Sequence, residues 1–415
     1  MSTLAEVKLP QLEPAGKPKP RSRLRRWFFW IHLSIGVLAS AVILLMCVTG
    51  TILAFQRQIV AAADAWHSRA VVVPASGAPL PVNGVTQQLS STQEPLRISS
   101  ITVWSDLSRP LLLEYGSSKA LYVDPYSGAV LGEGSQRARQ FFRTITELHR
   151  WLAAKGDLRN TGRAITGACN LLFVGLMLTG VVLWMPRRWS WAVVRRSLLF
   201  RRGLRGKARD WNWHNVIAIW SVGPLAIIAV SGVVMSYPWA NNAVYRITGN
   251  QPPPPATERQ QQEGGRGEPR EHGARSHQDP AGLHGHGENA LNLEPLLSSA
   301  ERQVPEWKSV TLRLTEGSGP VTAGVLTGPE GRPDDRTQLT LDRATATVTR
   351  SESFATYKGG RRLRGWLRFA HTGEAAGVPG QVIAGVATLG GSVLVCTGIA
   401  LALRRLAAAL RRRET

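Results

Sequence analysis

The chain has few cysteines and lacks nucleotide-binding and protease motifs, and each shortage excludes a class of protein. Its 415 residues include three cysteines, all inside apolar segments. No disulfide framework is therefore expected in the polar parts of the chain. No Gly-x-Gly-x-x-Gly follows a predicted strand, and P-loop, Ser-His-Asp and His-Glu-x-x-His patterns are absent. We therefore predict no flavin or nicotinamide site and no protease centre.

Acidic residues are scarce beside basic ones, and the positive charge is concentrated in short stretches. The sequence has 28 Asp and Glu against 50 Lys and Arg, which gives a net charge of +22. Segments 1–31, 186–211 and 404–415 hold 21 of the basic residues and four acids, hence +17 of the total. A nucleic-acid-binding domain would spread such charge over a soluble surface, so we predict no nucleic-acid partner. Short basic loops instead mark the cytoplasmic side of a membrane protein.

Four long apolar segments are each long enough to cross a bilayer as a helix, which needs about 20 residues. The first has no small-residue cleavage site after it, so we interpret it as an uncleaved anchor. The charge bias places both termini in the cytoplasm and two large segments outside. The predicted parts are a basic cytoplasmic tail (1–26), membrane helix 1 (27–57), outer domain 1 (58–140), a histidine-bearing segment (141–162), membrane helix 2 (163–185), a basic cytoplasmic loop (186–211), membrane helix 3 (212–237), outer domain 2 (238–365), a second histidine-bearing segment (366–376), membrane helix 4 (377–404) and a cytoplasmic tail (405–415).

The sequence repeats itself, which indicates an internal duplication. An offset of 218 aligns Asp124–Val130 with Asp342–Val348, and Thr179-Gly180 with Thr397-Gly398. Each half therefore contains a helix, an outer domain, a histidine-bearing segment and a second helix. Alternating runs such as Leu111–Tyr115 predict strands. The predicted fold class is an α-helical membrane protein with four transmembrane helices and two small α+β domains outside the membrane.

Residues 251–288 interrupt the second outer domain and have few large apolar side chains, so we predict a disordered insertion. Four histidines form a loose cluster there: His272, His277, His284 and His286. Two readings stay open for them, a weak transition-metal site and a solvated loop.

One further histidine lies at or shortly before the start of each apolar segment: His32, His149, His214 and His371. A haem iron held by two imidazoles needs two histidines at matching depth. Depth pairs His32 with His214 near the cytoplasmic face, and His149 with His371 near the outer face. These pairs predict two bis-histidine b-type haems; the alternative is that the rings meet lipid headgroups or water.

Arginines beside the outer histidines could bind haem propionates, because a guanidinium fork matches a carboxylate. Arg150, Arg163 and Arg368 are the candidates, and the positive-inside bias makes them unexpected on the outer side.

Small residues inside the helices have two interpretations. Gly50, Gly180, Gly232 and Gly398 each follow Ser or Thr, and they would allow close helix packing or leave space for a flat macrocycle.

Several of these motifs together resemble the PepSY-associated transmembrane helix family, over roughly residues 24–410. They are the two helices in which Thr-Gly or Ser-Gly follows a histidine by 17 residues, the Val-Asp-Pro-x-Ser-Gly turn at 123–128, Leu148–Leu152 followed by Gly162-Arg163, and Phe369–Gly373 followed by Gly380. The sequence departs from the pattern at Arg343, where the turn proline is lost, and in the insertion. The resemblance implies an inner-membrane, haem-containing ferric-siderophore reductase of a Gram-negative bacterium.

Two functional hypotheses follow. In the first, the chain is a multi-pass inner-membrane di-haem protein that reduces a periplasmic ferric siderophore or other ferric chelate. Its electrons would come from membrane quinol or another donor, since the inner loop of about 26 residues is too short for a flavin or nicotinamide domain. In the second, the chain is a non-catalytic membrane-anchored accessory or binding protein, whose outer domains bind a partner.

Overall fold

The computed structural model describes residues 23–92, 98–116, 119–186, 190–253, 291–314, 319–328, 332 and 334–414. The four histidines of the predicted insertion lie outside these described residues. Within them, four helices are long and apolar enough to cross a membrane, with mean hydropathies of 2.0 to 2.5. They are α1 (Arg23–Leu53), α5 (Leu158–Trp184), α7 (Gly206–Ser236) and α11 (Gly377–Glu414). The fold class predicted from the sequence is confirmed.

The C-terminal ends of α1 and α11 differ from the predicted ones. Helix α1 ends early because polar residues follow it, and α11 continues because helix-forming residues follow its predicted end. The first helix ends at Leu53, and the chain bends at Ala54 and Phe55 before polar residues begin the next helix. The last helix instead continues ten residues past the predicted end, to Glu414. That extension contains Ala, Leu and Arg but no Gly or Pro, so nothing in its sequence stops a helix.

Glycines let the spanning helices approach each other closely. A Cβ built at Gly391 of α11 would lie 2.8 Å from Cys47 Sγ of α1, and one at Gly390 would lie 2.6 Å from Ser221 Oγ of α7. Both distances are shorter than a carbon atom tolerates, so α11 packs against its neighbours at positions where only glycine fits. Cys47 is buried in this contact, and the structure thus uses it as a small packing residue.

Outside the bundle, one antiparallel sheet of eight strands joins the two α+β units. The strands are β1 (Ile98–Trp104), β2 (Leu111–Tyr115), β3 (Lys119–Val123), β4 (Val130–Glu133), β5 (Ser309–Arg313), β6 (Val321–Leu326), β7 (Arg336–Leu341) and β8 (Val348–Ser353). Their order in the sheet is β4-β3-β2-β1-β5-β6-β7-β8. The units meet where β1 pairs with β5, for example Ile101 opposite Leu312. Each unit thereby covers the sheet edge that the other would leave unpaired.

One face of this sheet forms the main hydrophobic core. Helices α3 (Val82–Thr92) and α9 (Leu293–Gln303) pack on it. Leu312 and Leu339 are fully buried there. Truncating a leucine at such a site to alanine costs about 2–5 kcal/mol of folding free energy. The opposite face carries polar side chains, as the alternation of strand residues requires.

Four shorter helices connect the sheet to the bundle: α2 (Gln56–His67), α4 (Gln136–Trp151), α8 (Pro238–Ile247) and α10 (Gly359–Thr372). Helix α6 (Trp191–Leu198) instead lies between the spanning helices α5 and α7. Asp64 links its own helix, α2, to α4 and to β3. It accepts hydrogen bonds from both terminal nitrogens of Arg139 at 2.7 and 2.6 Å, and from the Tyr122 hydroxyl at 2.8 Å. Burial acts to raise the pKa of Asp64, but these hydrogen bonds hold it below its ordinary value. The ionised carboxylate thus fixes α4 against α2 and β3.

The turns after α4 and α10 return the chain toward the membrane. Leu152 and Ala153, both with φ of 56°, reverse the chain after α4. Gly373, with φ of 77°, ends α10. A Cβ at Gly373 would lie 2.6 Å from the carbonyl oxygen of Gly380, so this turn requires glycine on both conformational and steric grounds.

Candidate functional site

The structure brings the four histidines together in two pairs, at opposite ends of the bundle. His32 of α1 and His214 of α7 lie at the end remote from the sheet, with ring centroids 6.5 Å apart; we name them the far-end site. His149 of α4 and His371 of α10 lie at the end nearest the sheet, with ring centroids 6.3 Å apart; we name them the sheet-end site. These are the pairs that membrane depth predicts.

Each ring is held by a hydroxyl from a different helix, in the same way four times. The hydroxyl belongs to the Ser or Thr that precedes one of the four glycines identified in the sequence. The Nδ1-to-hydroxyl distances are 2.9 Å for His32 and Thr179, 2.8 Å for His149 and Thr49, 3.0 Å for His214 and Thr397, and 3.2 Å for His371 and Ser231.

These contacts assign the proton of each ring to Nδ1. Every anchoring hydroxyl already donates to the carbonyl four residues earlier in its own helix, as Thr179 does to Gly175 at 2.8 Å. Its oxygen therefore accepts from the ring, so Nδ1 must donate. His371 also bonds a second acceptor, the carbonyl oxygen of Ile228, three residues before the hydroxyl, at 2.8 Å. With the proton on Nδ1, the lone pair is on Nε2.

The glycines make room for the rings. A Cβ built at Gly180 would lie 3.3 Å from Cε1 of His32, and one at Gly50 would lie 3.4 Å from Cε1 of His149. Gly232 and Gly398 stand in the same relation to His371 and His214, at 3.4 and 3.5 Å. Each hydroxyl–glycine pair therefore forms a small binding site for one imidazole ring. The hydroxyl residue bonds Nδ1, and the glycine after it leaves space for Cε1.

The two sites share helices, which explains the repeated spacing of 17 residues. Helix α1 carries His32 at the far-end site and Thr49 at the sheet-end site, and α7 carries His214 and Ser231 in the same arrangement. Seventeen residues of α-helix rise about 25 Å, most of the roughly 30 Å hydrocarbon thickness of a bilayer. One site therefore lies near each side of the membrane.

The ring separations match the distance expected when two imidazoles bind one metal ion. A metal–imidazole bond is about 2.0–2.1 Å long and the ring centre lies about 1.1 Å behind the nitrogen, so opposed ligands have ring centres roughly 6.3 Å apart. Among the described residues, no Nε2 of the four has a hydrogen-bond partner, and no three or more His, Cys, Asp or Glu side chains are grouped as a metal site. A pair of imidazoles suits a haem iron, whose remaining four ligands come from the porphyrin.

The sheet-end imidazoles are neutral at physiological pH. Burial lowers the pKa of His149 to about 4, with smaller contributions from the charges of His371 and Arg150. Burial likewise lowers the pKa of His371. Neutral imidazole is the form that binds a metal, so neither ring needs to lose a proton first.

The three predicted arginines gather beside the sheet-end site. Burial lowers the pKa of Arg150, and the nearby charges of Arg163, Arg159 and Arg368 lower it further. Arg150, Arg163 and Arg368 each lack a carboxylate partner in the part of the chain that the structure describes. Neighbouring like charges repel one another, so an anion among them would be stabilising, and haem propionates would supply two negative charges. At the far end, Arg25 instead donates to the Leu183 carbonyl.

The hydroxyl anchors are residues of the candidate site that sequence reasoning missed. The sequence identified the glycines and noted the small hydroxyl residue before each, but gave that residue no role. The signal was present: all four membrane helices carry a hydroxyl–glycine pair, and two of the pairs follow a histidine by 17 residues. Which histidine meets which pair depends on helix packing, so the spacing within one helix could not reveal it.

Comparison with known families gives one match. The family model described as the PepSY-associated TM region matches residues 29–405, which include most of the four spanning helices, the eight-stranded sheet and both histidine pairs. Among curated proteins, none matches this sequence.

Proposed function

The chain belongs to the PepSY-associated transmembrane family, and on that premise we propose that it is a di-haem b-type electron-transfer enzyme of the bacterial inner membrane. Its activity is the reduction of a ferric chelate, such as a ferric siderophore, on the periplasmic side. The observation that carries this proposal is the presence of two histidine pairs, 6.5 and 6.3 Å between ring centroids, at the two ends of one helix bundle.

When bound, each haem would supply an iron that accepts and gives up one electron at a time. The protein contributes the ligands and their orientation. His32 and His214 would hold one group and His149 and His371 the other, each ring fixed in its Nδ1–H tautomer by a hydroxyl. Such partners behind a ligand orient it and raise its basicity. Arg150, Arg163 and Arg368 would bind the propionates of the sheet-end haem.

The direction of electron flow follows from the charge distribution. The described parts of the basic segments, 23–31, 190–211 and 404–414, lie at the same end of the bundle as the far-end site, which the positive-inside bias assigns to the cytoplasmic side. Electrons from membrane quinol or another donor would enter there, and one electron would leave the sheet-end site for each Fe(III) reduced to Fe(II). The oxygen ligands of a siderophore are hard donors that hold Fe(II) less tightly, so reduction releases the metal.

This orientation predicts where a reporter works. A reporter enzyme active only in the periplasm should be active when fused near Gln88 or Gln303, both on the sheet side, and inactive when fused near Arg201. The physical reason is the net +17 carried by segments 1–31, 186–211 and 404–415. Activity at Arg201 would reverse the orientation and the proposed direction of electron flow.

Removing an anchoring hydroxyl should loosen one haem. In Thr179→Val, the shape of the side chain is kept but His32 loses the hydroxyl that accepts from Nδ1. Loss of such a partner typically lowers metal affinity 10–100-fold. We therefore expect the far-end haem to dissociate faster and to give an altered low-spin signal in electron paramagnetic resonance. Thr179→Ser should restore both properties. Thr144→Val is the matched control, because the exposed Thr144 hydroxyl bonds only the carbonyl four residues earlier.

The test of the whole proposal is haem content. Purified protein should contain two haems per chain and show a dithionite-reduced b-type spectrum. A colourless protein that folds normally would contradict the proposal and favour a membrane-anchored accessory or binding protein.

A further inference from the structure

The chain that follows α6 is bonded to α7 through its backbone. Leu198 is the last residue of α6, and its carbonyl oxygen accepts from Nε1 of Trp220 at 3.0 Å. Asn212 bonds two further groups: its Nδ2 donates to the Leu199 carbonyl at 3.3 Å, and its Oδ1 accepts from the Arg201 amide at 3.0 Å. Side chains of a spanning helix thus satisfy three backbone groups of this segment, two of them outside any helix or strand.

The apolar side chains of the same segment are exposed. Leu199 is 50% and Phe200 57% exposed, and the Phe200 ring meets the ring of Trp213 edge to face, with centroids 6.1 Å apart. A loop that faces water exposes polar side chains and bonds water with its backbone. This segment does the reverse. Its backbone groups are bonded within the protein and its apolar groups lie outside, which is the arrangement that lipid requires.

The bond to Trp220 shows how deep the segment lies. In α7, no Asp, Glu, Lys or Arg follows Asp210, so the spanning part of this helix begins after it. Trp220 is ten residues further on, about 15 Å along the helix axis, and a long helical side chain leans back by about one turn. The Leu198 carbonyl therefore lies roughly 10 Å beyond Asp210. A headgroup layer is only about 5–8 Å thick, so this carbonyl lies at the level where headgroups give way to acyl chains.

Arginines follow the exposed apolar pair. Arg201 and Arg202 come next in the sequence, and both are exposed. The next carboxylate along the chain, Asp210, is already paired: Arg209 and Arg404 each lie 3.0 Å from it. Apolar side chains at acyl depth, with arginines at the level of the phosphates, are typical of a segment that lies in a lipid interface. Because a guanidinium donates two parallel hydrogen bonds to a phosphate, this chemistry favours an anionic phospholipid.

We propose that residues 198–202, the interfacial loop, are inserted into the lipid leaflet at the far end of the bundle and bind anionic phospholipid. The two apolar side chains lie among the acyl chains, and the two arginines bind lipid phosphates. The lipid-facing surface of α7 continues directly onto the loop, since Phe200 contacts Trp213 of that helix. Part of the basic loop predicted at 186–211 thus belongs to the membrane, whether or not the chain binds haem.

Nitroxide labels measure the depth of the interfacial loop directly. With the three native cysteines replaced by serine, a label at Leu199→Cys should be relaxed strongly by oxygen, which concentrates among acyl chains. A water-soluble nickel chelate should relax it weakly. The membranes are nanodiscs of phosphatidylcholine and phosphatidylglycerol. A label at Arg205→Cys is the matched control, because Arg205 is exposed and lies just outside the loop; it should show the reverse order.

The bond from α7 can be removed separately. Trp220→Phe keeps an aromatic ring but loses the N–H that bonds the Leu198 carbonyl, which would leave that carbonyl unbonded in lipid. We therefore expect the loop to move toward water and the Leu199 label to become more accessible to the nickel chelate. Trp211→Phe is the control, since exposed Trp211 makes no side-chain hydrogen bond in the part of the chain that the structure describes.

Lipid selectivity is measured on the full chain with its cysteines intact, by native mass spectrometry in detergent, so it does not depend on the cysteine-free background. Phosphatidylglycerol should bind more tightly than phosphatidylcholine. Arg201→Gln and Arg202→Gln should each weaken its binding about fivefold. Arg302→Gln is the control and should leave the affinity unchanged, since exposed Arg302 lies on α9, outside the bundle.

Three results would overturn the inference. The first is a Leu199 label as accessible to the nickel chelate as the Arg205 label. The second is unchanged phosphatidylglycerol affinity in both glutamine variants. The third is binding of glycerol 3-phosphate as tight as that of phosphatidylglycerol, which would identify a free phosphate ester as the ligand instead of a lipid.

Discussion

Replacing His32 or His214 with alanine is expected to remove the far-end haem and leave the other haem in place. The two rings lie 6.5 Å apart and share one proposed iron. Losing either leaves five ligands in a site built for six, so haem loss or a high-spin spectrum should follow. His149→Ala and His371→Ala should likewise affect the sheet-end haem alone. Haem content and low-temperature spectra of the four variants measure the result.

The two pairs should differ in function as well as in spectrum. Far-end variants should keep a sheet-end haem that dithionite reduces but the physiological donor does not, because the electron path is cut before it. Sheet-end variants should be reducible by the donor yet inactive toward ferric chelate. His67→Ala is a suitable control, since this exposed histidine bonds only a carbonyl of its own helix. Normal low-spin spectra with full haem in all four variants would refute the di-haem proposal.

The pairing of His32 with His214 could be predicted because it depends on topology alone. Charge bias and segment length set the depth of each histidine, and depth leaves one partner for each ring. The strands Leu111–Tyr115 and Lys119–Val123 were also predictable, since alternation and the turn between them are local features. Local patterns thus predict the helices, several strands and the candidate ligands.

The joining of the two units into one sheet could not be read from the sequence. Pairing of Ile101 with Leu312 links residues more than 200 positions apart, and no local pattern distinguishes an edge strand that pairs across units from one that stays exposed. The gathering of Arg150, Arg163 and Arg368 was only partly predictable for the same reason. Arg150 directly follows His149 in the sequence, whereas Arg368 lies on a different helix, α10, and comes near Arg150 only in the folded chain.

The glycine of each hydroxyl–glycine pair allows the sharpest comparison between a variant and a matched control. In Gly180→Val, the new side chain would occupy the space against His32, whose Cε1 lies 3.3 Å from the first added carbon. The ring must shift away from the added side chain, which lengthens its bond to Thr179 and moves its Nε2 relative to His214. We expect loss of the far-end haem, retention of the sheet-end haem and no transfer from the physiological donor.

Gly175→Val supplies the control on the same helix, because a Cβ at Gly175 meets nothing within 4 Å in the described structure. Both variants replace a helical glycine with the same β-branched residue, so their effects on helix propensity and on membrane insertion should match. Any difference in haem content then reports the contact with His32. Gly50→Val should give the mirror result, with loss of the haem at His149 and retention of the far-end one. Equal haem content in Gly180→Val and Gly175→Val would show that the glycine serves helix packing alone, which is the other reading that the sequence allows.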